Sequence, residues 1–369
     1  MTRAQETQRR AAEMVAEMRR ILAALGKKIR IMEVCGTHTV AIFRAGLRQI
    51  LPEGVELVSG PGCPVCVTAD DYIDAAIAYA GMEDVIITTF GDMLKVPGTR
   101  SSLAEAQAQG ADVRIVYSPL DALTVAAENP SKQVVFLAVG FETTAPTEAA
   151  AVLAAEAQGL RNFFLLSAQK LVPPVMRALL DGRETCVDGF LLPGHVAVVT
   201  GTATFDFLAQ EYHIPGVVGG FEPLEILRAI HMLVRQIGMD EARIENAYET
   251  VVRREGNPVA RAAIDRVYEP ATVRWRGLGE IPASGLSMRE EYAQYDFARV
   301  RPLAAGAVGD GRHGCRCGEV LRGAIMPRDC NLFGRACVPE HAVGPCMVSV
   351  EGTCAAWYKY GGGRFRYGA

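Results

Sequence analysis

The chain has 369 residues and a formal net charge of −4, and half of its residues are hydrophobic. A chain of this length exceeds what one hydrophobic core usually holds, so two or three domains are expected. The weakly acidic charge argues against nucleic acid or an anionic membrane as the main partner and favours a small molecule or a protein.

Residues 1–25 carry charges throughout and lack the continuous apolar core of a signal peptide. No apolar run in the sequence approaches the roughly 20 residues that a membrane helix needs. We therefore expect a cytoplasmic protein. In that reducing compartment, cysteines serve more often as ligands or catalysts than as structural disulfides.

From residue 28 to about residue 240, short apolar segments typical of strands alternate with segments typical of helices. The helical segments, such as 41–51, 70–80 and 222–237, are long enough to cross between parallel strands. This rhythm predicts an α/β fold with parallel sheets. The predicted strands end near two sets of residues: Val34, Val58, Thr89 and Val116, then Val139, Leu166, Leu192 and Val218.

The two sets of strands look like a duplicated half, because the first strand of each set runs into a loop that contains glycine and threonine. Any α/β chain has a strand about every 25 to 30 residues, however, so duplication and coincidence are equally open. We predict an α/β domain over residues 1–130 and a second, similar domain over 131–240 that faces it across a cleft. A C-terminal cysteine-rich iron–sulfur module is predicted over 241–369, and the chemistry is expected on the loops that follow the strands.

The first of these loops is Cys-Gly-Thr-His-Thr at residues 35–39. Cys35 ends a predicted strand and precedes a helix that opens near Ala41. A thiol at a helix N-terminus with His38 beside it would favour the thiolate, which is a metal ligand or a nucleophile. A buried strand-end cysteine next to an N-capping threonine is an equally good interpretation.

The second loop, Gly-Pro-Gly-Cys-Pro-Val-Cys at residues 60–66, carries Cys63 and Cys66 just before another helix. Two cysteines separated by two residues can exchange a disulfide or form half of a zinc site. A zinc knuckle normally needs a second such pair, and the sequence contains none. The spacing therefore favours redox or iron chemistry over zinc.

Two further loops at predicted strand ends carry polar residues. Gly-Phe-Glu-Thr-Thr supplies Glu142, Thr143 and Thr144, and Leu-Leu-Pro-Gly-His supplies His195. We place these four residues in the predicted cleft as candidates for cofactor binding. A helix-capping role for the two threonines is at least as good an interpretation.

The last 55 residues contain six cysteines: Cys315, Cys317, Cys330, Cys337, Cys346 and Cys354. This segment is dense in glycine, proline and arginine and could hardly fold by apolar burial alone, so a bound metal centre would supply the missing stability. Four thiols could hold a [4Fe–4S] cluster. The predicted ligands are Cys330, Cys337, one of the first two cysteines and one of the last two, and a zinc site with four cysteine ligands is the alternative.

Four motifs in this order resemble the HypD family of [NiFe]-hydrogenase maturation proteins. They are the loop at 35–39, the loop at 60–66, Gly-Phe-Glu-Thr-Thr at 140–144, and a tail that contains CRCGEVLRG, DCNLFGRAC and GPCMVSVEGTCAAWYKY. The resemblance runs nearly from one end of the chain to the other. The surplus of cysteines in the tail leaves the exact cluster ligands open.

The resemblance implies a scaffold on which the Fe(CN)2CO unit of the hydrogenase is assembled, together with a HypC-type chaperone and a HypE-type cyanide donor. It implies that Cys35 is an iron ligand shared with the chaperone, with His38 beside it, and that Cys63 and Cys66 form a thiol–disulfide pair in the same cleft. It also implies a [4Fe–4S] cluster, and so a redox-active assembly scaffold rather than a classical turnover enzyme. A stand-alone thiol–disulfide oxidoreductase and a zinc-stabilised binding module are the alternative functions.

Overall fold

The structure is a computed structural model that describes residues 2–182, 185–303 and 314–361. The strands are β1 (Ile29–Glu33), β2 (Val55–Ser59), β3 (Val85–Thr89), β4 (Val113–Ile115), β5 (Gln133–Ala138), β6 (Phe163–Ser167), β7 (Gly189–Pro193), β8 (Gly216–Gly219), β9 (Ile244–Asn246), β10 (Tyr268–Trp275) and β11 (Gly279–Met288). Residues 304–313 and 362–369 of the predicted C-terminal module lie outside the described residues.

The α-helices, in chain order, are α1 (Arg3–Leu25), α2 (Gly36–Arg44), α3 (Leu47–Ile50), α4 (Pro64–Val67), α5 (Asp70–Ala80), α6 (Gly91–Leu94), α7 (Leu103–Ala108), α8 (Pro119–Glu128), α9 (Ala145–Gln158), α10 (Val172–Asp181), α11 (Gly194–Thr200), α12 (Asp206–Tyr212), α13 (Pro223–Gly238), α14 (Pro258–Val267), α15 (Phe297–Val300), α16 (Cys317–Leu321), α17 (Pro345–Val348) and α18 (Thr353–Tyr360). Short 3-10 helices span Thr202–Phe205, Glu290–Tyr295 and Pro327–Asp329. None of the helices within the described ranges is both long enough and apolar enough to cross a membrane.

Two parallel sheets form the body of the protein. The first has the strand order β2-β1-β7-β8-β9 and the second has the order β4-β3-β5-β6, and every pairing within them is parallel. All residues of β3 and of β7 are buried, as expected where helices cover both faces of a parallel sheet. The predicted α/β class with parallel sheets and a cysteine-rich C-terminal region is confirmed.

The strands are shared between the sheets differently from the predicted grouping. The chain builds β1 and β2 of the first sheet, crosses to the second sheet for β3 to β6, and returns for β7 to β9. The sheets therefore do not divide at residues 130 and 240, because the segment 1–130 contributes strands to both. Strand spacing along a chain reveals how many strands there are, but it carries no information about which strands pair.

A long antiparallel hairpin, β10 and β11, follows the parallel sheets. It contacts segments that follow strands of both sheets, since Trp275 forms an isolated bridge with Thr68, beyond β2, and Gly285 forms one with Lys170, beyond β6. One hydrophobic core joins Trp275 to side chains from both sheet regions and from the tail, including Cys63, Cys66, Phe141, Cys317, Cys337, Cys346 and Cys354. The cysteine motifs at opposite ends of the sequence therefore pack around a common core.

Candidate functional site

Cys35 lies just beyond the carboxyl end of β1 and is the N-cap residue of α2. Its side chain is almost completely buried, with 9% of the residue exposed. Burial, together with the nearby charge of Glu351, raises the pKa of the thiol to about 11, against the opposing hydrogen bonds from His38 and Thr37. The position at a helix N-terminus predicts a favoured thiolate, but desolvation of the buried sulfur outweighs that effect. A cation beside the sulfur would restore the thiolate.

Glu351 reaches the Cys35 turn from the C-terminal region. The Thr37 hydroxyl donates a hydrogen bond of 2.6 Å to Glu351 Oε1, and a Cβ at Gly36 would collide with the backbone oxygen of Glu351. Glycine is therefore required at position 36 because the tail backbone passes directly over it. Sequence reasoning missed Glu351, since it lies in a polar loop and its only signal is its place within the tail segment GPCMVSVEGTC.

Asp92 fixes the loop that carries Glu351. Asp92 Oδ2 accepts hydrogen bonds from Ser349 Oγ at 3.0 Å and from the Val350 amide at 3.3 Å. Asp92 follows β3 of the second sheet, whereas Cys35 follows β1 of the first. The tail loop thus spans both sheets and presents its carboxylate to the thiol.

His38 is fully buried on α2. Its Nε2 lies 2.9 Å from the Gly220 carbonyl oxygen, so Nε2 carries the proton in the neutral ring. Nδ1 is buried and has no hydrogen-bond partner within the described residues. Burial lowers the pKa of His38 to about 4, which keeps the imidazole neutral and leaves Nδ1 as a free acceptor.

His195 joins His38 through an aromatic stack. The ring of Phe221 lies 4.6 Å from that of His38 and 3.8 Å from that of His195, measured between centroids, and both pairs are stacked. His195 is thus part of the first-sheet site, although it was predicted only as a cleft residue.

The Cys63–Cys66 loop packs against the backbone of Cys35. Cys63 and Cys66 are joined in a disulfide, and Cys63 caps α4. The Gly36 amide donates a 3.0 Å hydrogen bond to the Gly62 carbonyl, and a Cβ at Gly62 would lie 2.5 Å from the Cys35 nitrogen. The structure therefore brings together the two motifs that sequence reasoning placed in one cleft.

The loop with Glu142 belongs to a different cluster. Glu142 Oε1 accepts from the Val172 amide at 2.9 Å, and burial raises its pKa to about 7. Thr144 makes no capping bond to α9 and instead accepts from Gln169 Nε2 at 2.9 Å, while Thr143 is exposed. The four predicted cofactor residues therefore divide, with His195 beside His38 and the other three on the second sheet.

All six tail cysteines line one cavity, together with apolar side chains such as Leu332, Phe333 and Met347. Neighbouring thiols interact in series, Cys315 with Cys317, Cys317 with Cys346 and Cys346 with Cys354. The hydrogen bond to Cys317, with burial, raises the pKa of Cys315 far above its usual value. Because all six sulfurs face the same space, the predicted choice of four ligands stays a prediction.

The donor chemistry of this cavity fits an iron–sulfur cluster, since several soft thiols meet in an apolar enclosure. Within the described parts of the chain, no group of three or more His, Cys, Asp or Glu side chains is arranged around a point where a single metal ion could bind. A cubane cluster takes one thiolate on each of four iron atoms rather than several donors around one ion.

Comparison with known proteins gives concordant results. The HypD family model, described as the hydrogenase formation hypA family, matches residues 9–361. The hydrogenase maturation factor HypD of Rhodobacter capsulatus is 46% identical over 362 residues, covering 96% of each chain. The factor of the same name from Escherichia coli K12 is 47% identical over 336 residues, covering 90% of each chain. A putative hydrogenase expression/formation protein of Methanocaldococcus jannaschii is 44% identical over 333 residues, which cover 90% of this chain and 92% of that protein.

Proposed function

This chain belongs to the HypD family of hydrogenase maturation factors, and we propose that it is the scaffold on which the Fe(CN)2CO unit of a [NiFe]-hydrogenase is assembled. In this proposal the iron is cargo, held by Cys35 and a cysteine of a HypC-type chaperone, and the cyanide comes from a HypE-type donor. The protein acts in redox assembly rather than as a classical turnover enzyme.

One observation carries the proposal: the Cys63–Cys66 disulfide loop lies directly on the backbone of Cys35, with Gly62 as the point of contact. A soft thiolate is a suitable anchor for a low-valent iron that carries diatomic ligands. A redox-active pair in the next loop can exchange electrons beside that anchor without a separate carrier.

Two further polar groups lie around the Cys35 turn. The unpartnered Nδ1 of neutral His38 is an acceptor buried in the same turn, and Glu351 places a carboxylate over the N-terminus of α2. A neutral imidazole nitrogen is a donor that suits iron, which supports Cys35 and His38 as neighbours of the cargo ion.

The tail supplies the second redox element of the proposal. A [4Fe–4S] cluster bound by four of the six tail cysteines would supply one-electron transfer. Cys317, Cys337, Cys346 and Cys354 share a hydrophobic core with Cys63 and Cys66, which supports electron transfer between the two groups within this chain.

Replacement of Cys35 tests the proposal. Protein co-purified anaerobically with its small partner should show infrared bands of iron-bound cyanide and carbon monoxide, and Cys35→Ala should lose them while keeping the iron–sulfur absorbance of the tail. Cys186→Ala is the matched control, because Cys186 is a free cysteine on the surface. Loss of both signals in Cys35→Ala, or retention of the infrared bands, would contradict the proposal.

The two alternative functions, a stand-alone oxidoreductase and a zinc-stabilised module, predict different properties. A stand-alone oxidoreductase must offer its disulfide to other proteins, yet Cys63 is 3% exposed and Cys66 is completely buried. Burial therefore favours an internal partner for this disulfide. A zinc-stabilised module would contain about one zinc and no iron after anaerobic purification, which metal analysis measures directly.

A further inference from the structure

The turn of the β10–β11 hairpin lies between the Cys63–Cys66 helix and the cysteine-rich tail. On one side, the Arg276 amide donates a 2.9 Å hydrogen bond to the Val67 carbonyl. On the other side, Gly277 and Gly318 meet backbone to backbone, so that a Cβ on either would collide with the other. The tail helix α16 and the disulfide helix α4 are therefore both fastened to one turn.

The side chain of Arg276 lies within this junction and is 92% buried, since its side-chain exposure is 8%. Its Nε donates a 2.7 Å hydrogen bond to the Thr68 carbonyl, and its Nη1 lies 2.5 Å from Asp70 Oδ1. Thr68 and Asp70 directly follow the disulfide along the chain. Two of the three guanidinium nitrogens are thus committed to the disulfide element.

The third nitrogen, Nη2, is buried and has no hydrogen-bond partner within the described residues. A buried, partly unpartnered guanidinium is costly in free energy unless negative charge gathers near it. Thiolates formed at Cys63 and Cys66 on reduction would supply that negative charge.

We propose that Arg276 is a positioning residue for the redox chemistry: its fixed positive charge, only partly balanced by Asp70, sets how readily the Cys63–Cys66 bond is reduced. The inference rests on the redox role assigned to this disulfide in the proposed function. It adds a residue outside every cysteine motif to that chemistry.

The chemistry of reduction determines the direction in which Arg276 shifts the equilibrium of the disulfide. Reduction takes two electrons and two protons, breaks the sulfur–sulfur bond and leaves two thiols, which partly ionise to thiolates. A positive charge nearby stabilises the thiolates and leaves the uncharged disulfide unaffected, so it shifts the equilibrium toward the reduced pair. The carboxylate of Asp70 opposes this effect.

The experiment equilibrates the full-length, anaerobically purified protein with mixtures of reduced and oxidised dithiothreitol, which supplies the electrons and closes its own disulfide. The reduced fraction of the Cys63–Cys66 peptide is trapped by alkylation and measured by mass spectrometry. Arg276→Gln should lower the equilibrium constant for reduction about tenfold, which is about 30 mV for this two-electron couple. Arg276→Lys should stay within about threefold of the wild type, because it keeps the charge.

Asp70→Asn is the decisive control, because it removes the opposing charge and should make the disulfide easier to reduce. If the Arg276–Asp70 pair has a purely structural role, Arg276→Gln and Asp70→Asn should shift the equilibrium constant for reduction in the same direction, and that result would overturn the proposal. An unchanged equilibrium constant in Arg276→Gln would overturn it as well. If Arg276→Gln does not fold, Asp70→Asn and Arg276→Lys still test the charge: an unchanged equilibrium in Asp70→Asn would also overturn it. The measurement needs neither iron nor partner, so its failure is distinguishable from failure of the Cys35→Ala test.

Discussion

Replacement of Gly62 by alanine perturbs the contact between the disulfide loop and the turn that carries Cys35. A Cβ at this position would lie 2.5 Å from the nitrogen of Cys35 and 2.6 Å from its Cα. Both of these are backbone atoms, so no side-chain rotation can relieve the overlap. Since an ordinary contact of a Cβ begins at 3.4 Å, the loop and Cys35 must separate by about 0.9 Å.

The magnitude follows from this displacement. An overpacked contact typically costs about 1–3 kcal/mol of stability. The hydrogen bond from the Gly36 amide to the Gly62 carbonyl, worth about 1 kcal/mol, also weakens as the two loops move apart. A misplacement of about 1 Å between reacting groups can slow a reaction about 100-fold. We therefore expect Gly62→Ala to unfold at a lower urea concentration than the wild type and to carry far less ligated iron.

Gly91→Ala is the matched control, because a Cβ there has no heavy atom within 4 Å. The free energy of unfolding, measured with urea, should be about 1–3 kcal/mol lower for Gly62→Ala than for Gly91→Ala. The iron content per chain after anaerobic co-purification should fall in Gly62→Ala and stay unchanged in Gly91→Ala. If the two variants unfold together and retain equal iron, the close contact does not control the site and the reasoning is refuted.

Three further predictions concern buried or bridging carboxylates. Burial raises the pKa of Glu148 to about 8 from a usual 4.5, so between these pH values the folded chain keeps a proton that the unfolded chain releases. The free energy of unfolding should therefore fall by up to about 1.4 kcal/mol per pH unit as the pH rises through that window. Glu148→Gln should flatten this pH dependence, measured by urea unfolding between about pH 5 and pH 8. A slope equal to that of the wild type would contradict this. Glu33→Gln, which breaks a buried ion pair of 2.6 Å with Arg48, should cost about 3 kcal/mol in the same assay, and a loss under about 1 kcal/mol would argue that the pair is not buried in solution. Asp92→Ala should release the loop at Ser349 and raise amide hydrogen exchange there about tenfold, a cost of about 1.4 kcal/mol for the lost charged hydrogen bonds; unchanged exchange would show that other contacts hold the loop.

The fold class was predictable because strand and helix periods are local properties of the sequence. The exchange of strands between sheets was not, since nothing in the local sequence of β1 reveals its partner β7. The buried partners of β1 are chosen by packing over the whole chain, and the even strand spacing made a division into successive halves look natural.

The candidate site was predictable where residue types and spacing encode chemistry, as in the loops of Cys35 and of Cys63 and Cys66. The role of Glu351 was not, because an isolated carboxylate in a polar loop looks like any solvated residue until its hydrogen bond to Thr37 is seen. The raised pKa of Cys35 was also missed, since burial depends on tertiary contacts that the helix N-terminus alone does not reveal.

Because the chain alternates between the two sheets, the order of the strands determines when each sheet can form during translation. Strands β3 to β6 emerge consecutively and can close their sheet early, whereas Ile31 must wait for Gly189 to emerge before it gains its second neighbouring strand. The carboxylate that completes the Cys35 pocket is translated later still. The surroundings of Cys35 are therefore complete only after Glu351 has been synthesised, about 300 residues after Cys35 itself.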